Sequence, residues 1–235
     1  MWGESMSKKN TSGKAMPILS IVFFGVGLIL FALKAAWAVA ARVILSGPGA
    51  LPHALVAEFG KSFGLAFPAV FFIIAAAAYL NKSERYKKLC VVAITAQIIS
   101  CVMLMARLIY ANQLLSFQKE NALAYIMCAL YFVIGVLCFI AAIKTIKEKN
   151  ARVFLILAGC IGIIIGICLA GQEIYQVVAG FAFYGEHVFL IINKLLAAVL
   201  YFVSFTFYYI AFIFSALYKN RALKESEKVK VVLKK

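Results

Sequence analysis

Charge along this chain is confined to short segments between long apolar blocks. Five blocks contain no charged residue: Phe63–Leu80, Leu89–Ala106, Ala122–Ile143, Val153–Gly171 and Leu195–Tyr218. A sixth, Ile18–Leu33, is interrupted by Lys34 and resumes through Ala35–Ala41. About 20 apolar residues in a helix cross a hydrocarbon core of about 30 Å. Barrel strands would instead alternate in segments of about ten residues. The pattern therefore predicts an all-α integral membrane protein. Its six transmembrane helices occupy residues 18–218, between an N-terminal segment 1–17 and a basic tail 219–235. Lys8, Lys9 and Lys14 ahead of an apolar run and Ala38-Val39-Ala40 resemble a secretory signal with its cleavage site. The run is longer than a signal core and contains Lys34, so it reads as a retained first helix.

Composition agrees with the blocks. The 235 residues are 65% hydrophobic and 14% charged, with a mean hydropathy of +0.99, far from the balance of a soluble globular domain. The net charge of +15 would ordinarily raise nucleic acid as a partner, but its distribution excludes that reading. Three quarters of the 24 Lys and Arg lie in the N-terminal segment, the second and fourth loops and the tail. The remaining loops hold Arg42, Lys61 and Lys119 against Glu58, Glu120 and Glu186. The Lys/Arg bias of short loops places both termini in the cytoplasm, with the plasma membrane as the expected location. The lipid bilayer is the first expected partner, and the tail is a candidate for contact with anionic lipid.

Two patterns repeat. Reading outward, the odd helices end in Leu33-Lys34-Ala35-Ala36-Trp37, Ala106-Arg107-Leu108-Ile109-Tyr110 and Gly171-Gln172-Glu173-Ile174-Tyr175. Each sets a long polar side chain three residues before an aromatic one. In the even helices, Leu130-Tyr131-Phe132-Val133 recurs as Leu200-Tyr201-Phe202-Val203, and Phe67 takes the tyrosine's place in the second helix. The inner ends agree as well, Glu84-Arg85 with Lys88-Leu89 matching Glu148-Lys149 with Arg152-Val153. The chain thus reads as three parallel-repeated helical hairpins, over about 18–88, 89–152 and 153–218, an arrangement known among transporters.

The outer repeat supplies the candidate site. Lys34, Arg107 and Gln172 all stand roughly 24–28 Å from the inner ends of their helices. Trp37, Tyr110 and Tyr175 lie a turn further out, and Glu173 adds a carboxylate. Facing inward, these seven residues would form a pocket for a small anionic or zwitterionic solute, with the cations as anion contacts. Facing outward, the same residues would be snorkelling side chains and an aromatic belt. Two small-residue stripes bear on the choice: Ala32, Ala36 and Ala40 in the first helix, and Ala158, Gly162, Gly166 and Ala170 in the fifth. Such stripes let helices approach closely, and at 100° per residue Lys34 and Gln172 lie nearly opposite them. Gln97, Asn193 and Lys194 are further polar candidates, read as interhelical hydrogen bonds or interface anchors. The aromatic run from Tyr201 to Phe214 surrounds its helix and is expected to meet lipid and partners.

Familiar catalytic chemistry is missing. The chain has no aspartate, and its two histidines, His53 and His187, fall in outer loops without metal-ligand spacing. There is no nucleophile elbow and no Walker loop. All six cysteines lie in spans and none forms a C-x-x-C pair. No enzyme activity, metal or cofactor is expected. In size, helix number and small-residue first helix, the chain is similar to the substrate-binding subunits of energy-coupling factor transporters, a similarity of topology. That resemblance implies partner subunits supplying an ATPase. The expected function is a solute-binding or transport subunit with partner membrane subunits or self-association. The alternatives are a non-catalytic assembly subunit of a membrane complex and, third, an oligomeric pore.

Overall fold

The computed structural model describes residues 4–111, 122–180 and 188–232, except for the side chains of 4–14, 50, 53, 54, 56, 57, 59–63, 111 and 218–232. Six helices account for nearly all of it: α1 (Glu4–Ser46), α2 (Leu51–Leu80), α3 (Tyr86–Ala111), α4 (Ala122–Ile146), α5 (Arg152–Ala179) and α6 (Val188–Val232). A single 3-10 turn, Pro48–Ala50, links α1 to α2, and no strand occurs among the described residues. All but α2 contain a stretch long and apolar enough to cross a membrane, and the apolar part described in α2 is Gly64–Leu80. The chain is a multi-pass membrane protein by the length and composition of these helices. Lys34 does not interrupt α1, which continues through Ala38–Ala40 to Ser46.

The helices form a closed ring in sequence order, each packed on its neighbours and α6 completing the circle against α1. Consecutive helices are antiparallel. Phe24 stacks on Phe72 while Lys34 pairs with Glu58, and Phe23 meets Phe207 while Phe31 meets Phe205. The start of α1 and the end of α6 therefore share one end of the bundle, here called proximal. The last turns of α1, α3 and α5 and the first turns of α2, α4 and α6 share the opposite, distal end.

The two proximal turns are built alike. Lys82 N–H bonds the Tyr79 carbonyl and Ser83 N–H the Ala78 carbonyl, while Glu148 N–H bonds Thr145 and Lys149 N–H bonds Lys144. These are Schellman stops, and their left-handed residues are Lys82 (φ 52°) and Glu148 (φ 55°) rather than glycine. Lys87 bonds Glu148 at 2.6 Å and ties one turn to the other.

Between the ends, fit replaces charge. Ala158, Gly162, Gly166 and Ala170 of α5 are all buried, and the glycines face α6. A β-carbon at Gly162 would stand 2.2 Å from the Tyr209 ring, and one at Gly166 2.6 Å from Phe205 Cβ. Pro68 leaves the Gly64 carbonyl without its intrahelical donor, and Ser100 of α3 donates to that oxygen. Tyr208 donates to Gln97 Oε1 at 2.6 Å, joining α6 to α3 across the bundle axis. Phe24, Phe72 and Phe212 close around this bond, with ring centroids 5.1–5.4 Å apart. The aromatic run of α6 was expected to meet lipid. Instead Phe205, Tyr208, Tyr209 and Phe212 are buried, because α6 packs on both α1 and α5 and reaches the axis.

Candidate functional site

Lys34 and Glu58 are the charged residues buried within the described part of the bundle, 7% and 3% exposed. Their helices fix them at one level. α1 carries Lys34 three residues beyond Phe31, which packs inward on Phe205. α2 begins at Leu51, so Glu58 lies inside a helix, two turns in. Lys34 Nζ stands 3.9 Å from Glu58 Oε2 and 3.7 Å from the centroid of the Tyr201 ring on α6. Burying two ions is tolerable only when each has a partner, and the aromatic face adds a second contact for the ammonium.

A second polar seam joins α5, α6 and α1 beside the first. Lys194 bonds Glu173 at 2.9 Å and Gln176 at 2.6 Å. Trp37 Nε1 donates to Asn193 Oδ1 at 2.7 Å. The two groups enclose a cavity of about 160 Å³, whose lining includes Lys34, Trp37, Arg42, Glu58, Glu173, Lys194 and Tyr201. Arg42 and Leu45, both exposed, stand at its distal rim. Its floor is Tyr201 with Phe31 and Phe205 beneath, and the Gln97–Tyr208 bond lies deeper still. Arg107 on α3 is half-buried outside the lining, within electrostatic reach of Glu58 and Arg42.

Of the seven candidate residues, the structure brings Lys34, Trp37 and Glu173 into one cavity and sets Arg107 behind it. Gln172 is exposed, and Tyr110 and Tyr175 face outward, 88% and 70% exposed. These three sit where an aromatic and polar belt would sit. The stripes divide in the same way. The α5 stripe packs inside the bundle, whereas Ala32, Ala36 and Ala40 are exposed. Lys34 is indeed opposite its stripe, but the stripe faces out and the lysine in.

Four charged or amide residues of the cavity, Arg42, Glu58, Asn193 and Lys194, were not among the seven. Asn193 and Lys194 were visible as polar residues entering the last helix, and each makes the interhelical bond read for it. By sequence Glu58 and Arg42 read as loop charges, because the charge-free blocks stop short of them. Their signal was spacing: Lys34 and Arg42 are eight apart, two turns along one face of α1. Among the described residues no three His, Cys or Glu side chains gather as metal ligands. The His53 side chain and His187 lie outside the described residues. Family models, curated proteins and solved structures give no match to this chain.

Proposed function

We propose that this protein is a solute-binding or transport subunit of the plasma membrane, holding a small anionic or zwitterionic solute in the distal cavity. The observation that carries the reading is the buried Lys34–Glu58 pair opening onto a cavity of about 160 Å³. Ionised groups inside a membrane bundle are costly and mark solute or ion pathways. A packing role alone would be served at lower cost by apolar residues of similar volume. With the Lys/Arg-rich ends cytoplasmic, the cavity opens to the outside. The like-built proximal turns support the three-hairpin repeat. They align α3 with α5 from Tyr86 and Arg152, which pairs Arg107 with Glu173 rather than with Gln172. The protein has no catalytic role in this reading, and movement across the membrane is as a secondary carrier or with partner subunits.

The test is to purify the protein from its native membrane and identify co-purifying small molecules by mass spectrometry. Ala197 lines the cavity, and Ala197→Phe fills it without removing a charge. A solute retained by the parent and lost at least about tenfold by this variant supports the reading. No bound solute in either, with the folded protein intact, overturns it.

A second reading rests on the outward stripe. Ala32, Ala36 and Ala40 give α1 a smooth exposed face suited to close approach by another helix, from a partner subunit or a second copy. Ala36→Leu would then release a partner from a folded chain. A pore is the least supported role, since the axis of the single chain is filled at Gln97–Tyr208 and any channel would run between copies.

A further inference from the structure

Among the described residues, the charges lining the cavity do not balance, and the imbalance has an address. Lys34, Arg42 and Lys194 face Glu58 and Glu173. Each lysine already has a carboxylate: Lys34 has Glu58 at 3.9 Å and Lys194 has Glu173 at 2.9 Å. Arg42 lines the same cavity and has no ion pair or hydrogen bond among the described residues. Arg107 behind it likewise forms no ion pair there, and adds a second positive field. The described lining is thus two neutral pairs plus guanidinium charge.

Resting on the solute-binding reading above, we propose that the solute is a small organic monoanion, a short-chain carboxylate, anchored by Arg42. A guanidinium presents its donors as a planar fork that matches the two oxygens of a carboxylate. A monoanion cancels the surplus charge of the lining. A zwitterion would leave the surplus in place and set its ammonium against Lys34 or Lys194 for a carboxylate already paired. A cation meets three like charges. The volume holds the share of roughly five water molecules, which suits a skeleton of a few carbons. Trp37, Ala38, Ala41 and Ala197 give that skeleton apolar wall, which an inorganic anion would not use.

Thermal stability and calorimetric titration of the full-length protein in nanodiscs test this with propionate, alanine, propylamine and phosphate as probes. Propionate should bind and raise the melting temperature, with the other three weaker by at least about tenfold. Arg42→Gln should weaken propionate by about ten- to a hundredfold, the range for losing a hydrogen bond to a charged group. Its ligand-free melting temperature should hold, because Arg42 is exposed and supports no partner. Unchanged propionate affinity in Arg42→Gln overturns the assignment of the anchor. Alanine binding as tightly as propionate overturns the monoanion in favour of a zwitterion, and phosphate binding as tightly overturns the organic skeleton. If none of the probes binds, the co-purification separates the cases. A native solute of another class, expelled by Ala197→Phe, overturns the carboxylate alone, and its absence overturns the binding reading with it.

Discussion

Set beside the exposed ion pair at the proximal end of this bundle, the more buried of the two distal pairs differs in both length and burial. At the distal end, Lys34 and Glu58 are 3.9 Å apart, longer than a hydrogen bond, with side chains 9% and 4% exposed. At the proximal end, Lys87 and Glu148 are 2.6 Å apart, with side chains about half exposed at 52% and 48%. Distance alone would rank the proximal pair first. Burial reverses the order, because the distal ions have given up solvent and depend on their partners, whereas the proximal ions keep water as an alternative. Between the ends lies a section with no charge, in which glycines on α5 let the aromatic side chains of α6 settle against the backbone. The bundle therefore carries its costly electrostatics at the end where the cavity opens. Its fixed geometry is built from shape.

The largest effect is expected from breaking the distal pair on one side. Glu58→Leu leaves Lys34 buried without its nearest carboxylate and should cost about 3–5 kcal/mol. The double change Lys34→Met with Glu58→Leu removes both ions and should recover most of that loss. Melting of the purified protein in detergent measures both. A double variant as unstable as the single would mean that the two ions are not coupled through burial, and the contrast between the ends would lose its basis.

The uncharged middle is tested by volume. Gly162→Ala places a methyl group where the Tyr209 ring stands, and overpacking of this kind costs about 1–3 kcal/mol. Adding Tyr209→Leu vacates the ring and should restore part of the loss. Gly171, which has open space around it, is the control: Gly171→Ala should not destabilise. Equal melting temperatures for the Gly162 and Gly171 variants would show that close approach along α5 and α6 does not hold the middle together.

Sequence alone was sufficient for what depends on length and composition. Six apolar blocks became six helices, because backbone groups in lipid must be satisfied within the segment. Counting residues along the helices set Lys34, Trp37 and Glu173 near one end, and all three line one cavity. Rotation was not legible. Lys34 and Gln172 bear the same relation to their small-residue stripes, yet one turned inward and the other outward. The difference lies in the neighbours: α5 closes on the bulky rings of α6, which need its glycines, while α1 presents Phe24 and Phe31 to those rings and leaves its alanines outside. Glu58 was hidden for another reason. A charge-free block stops at the first ion, and a helix does not stop there when a lysine waits across the interface.

The smallest effect belongs to the shorter bond. Lys87→Ala removes the 2.6 Å contact with Glu148, and an exposed pair of this kind contributes about 0.2–1 kcal/mol at most. Each turn is already closed by its own two backbone hydrogen bonds, at Lys82 and Ser83 and at Glu148 and Lys149, so the salt bridge joins two finished structures. High salt should reduce even this contribution, since the ions are within reach of screening. The expected outcome is a melting temperature nearly that of the parent at 0.15 M ionic strength and indistinguishable from it at about 1 M. A loss comparable to Glu58→Leu would reverse the ranking. It would mean that the proximal turns are held by each other rather than by their own caps, and that contact length, not burial, decides which charges matter here.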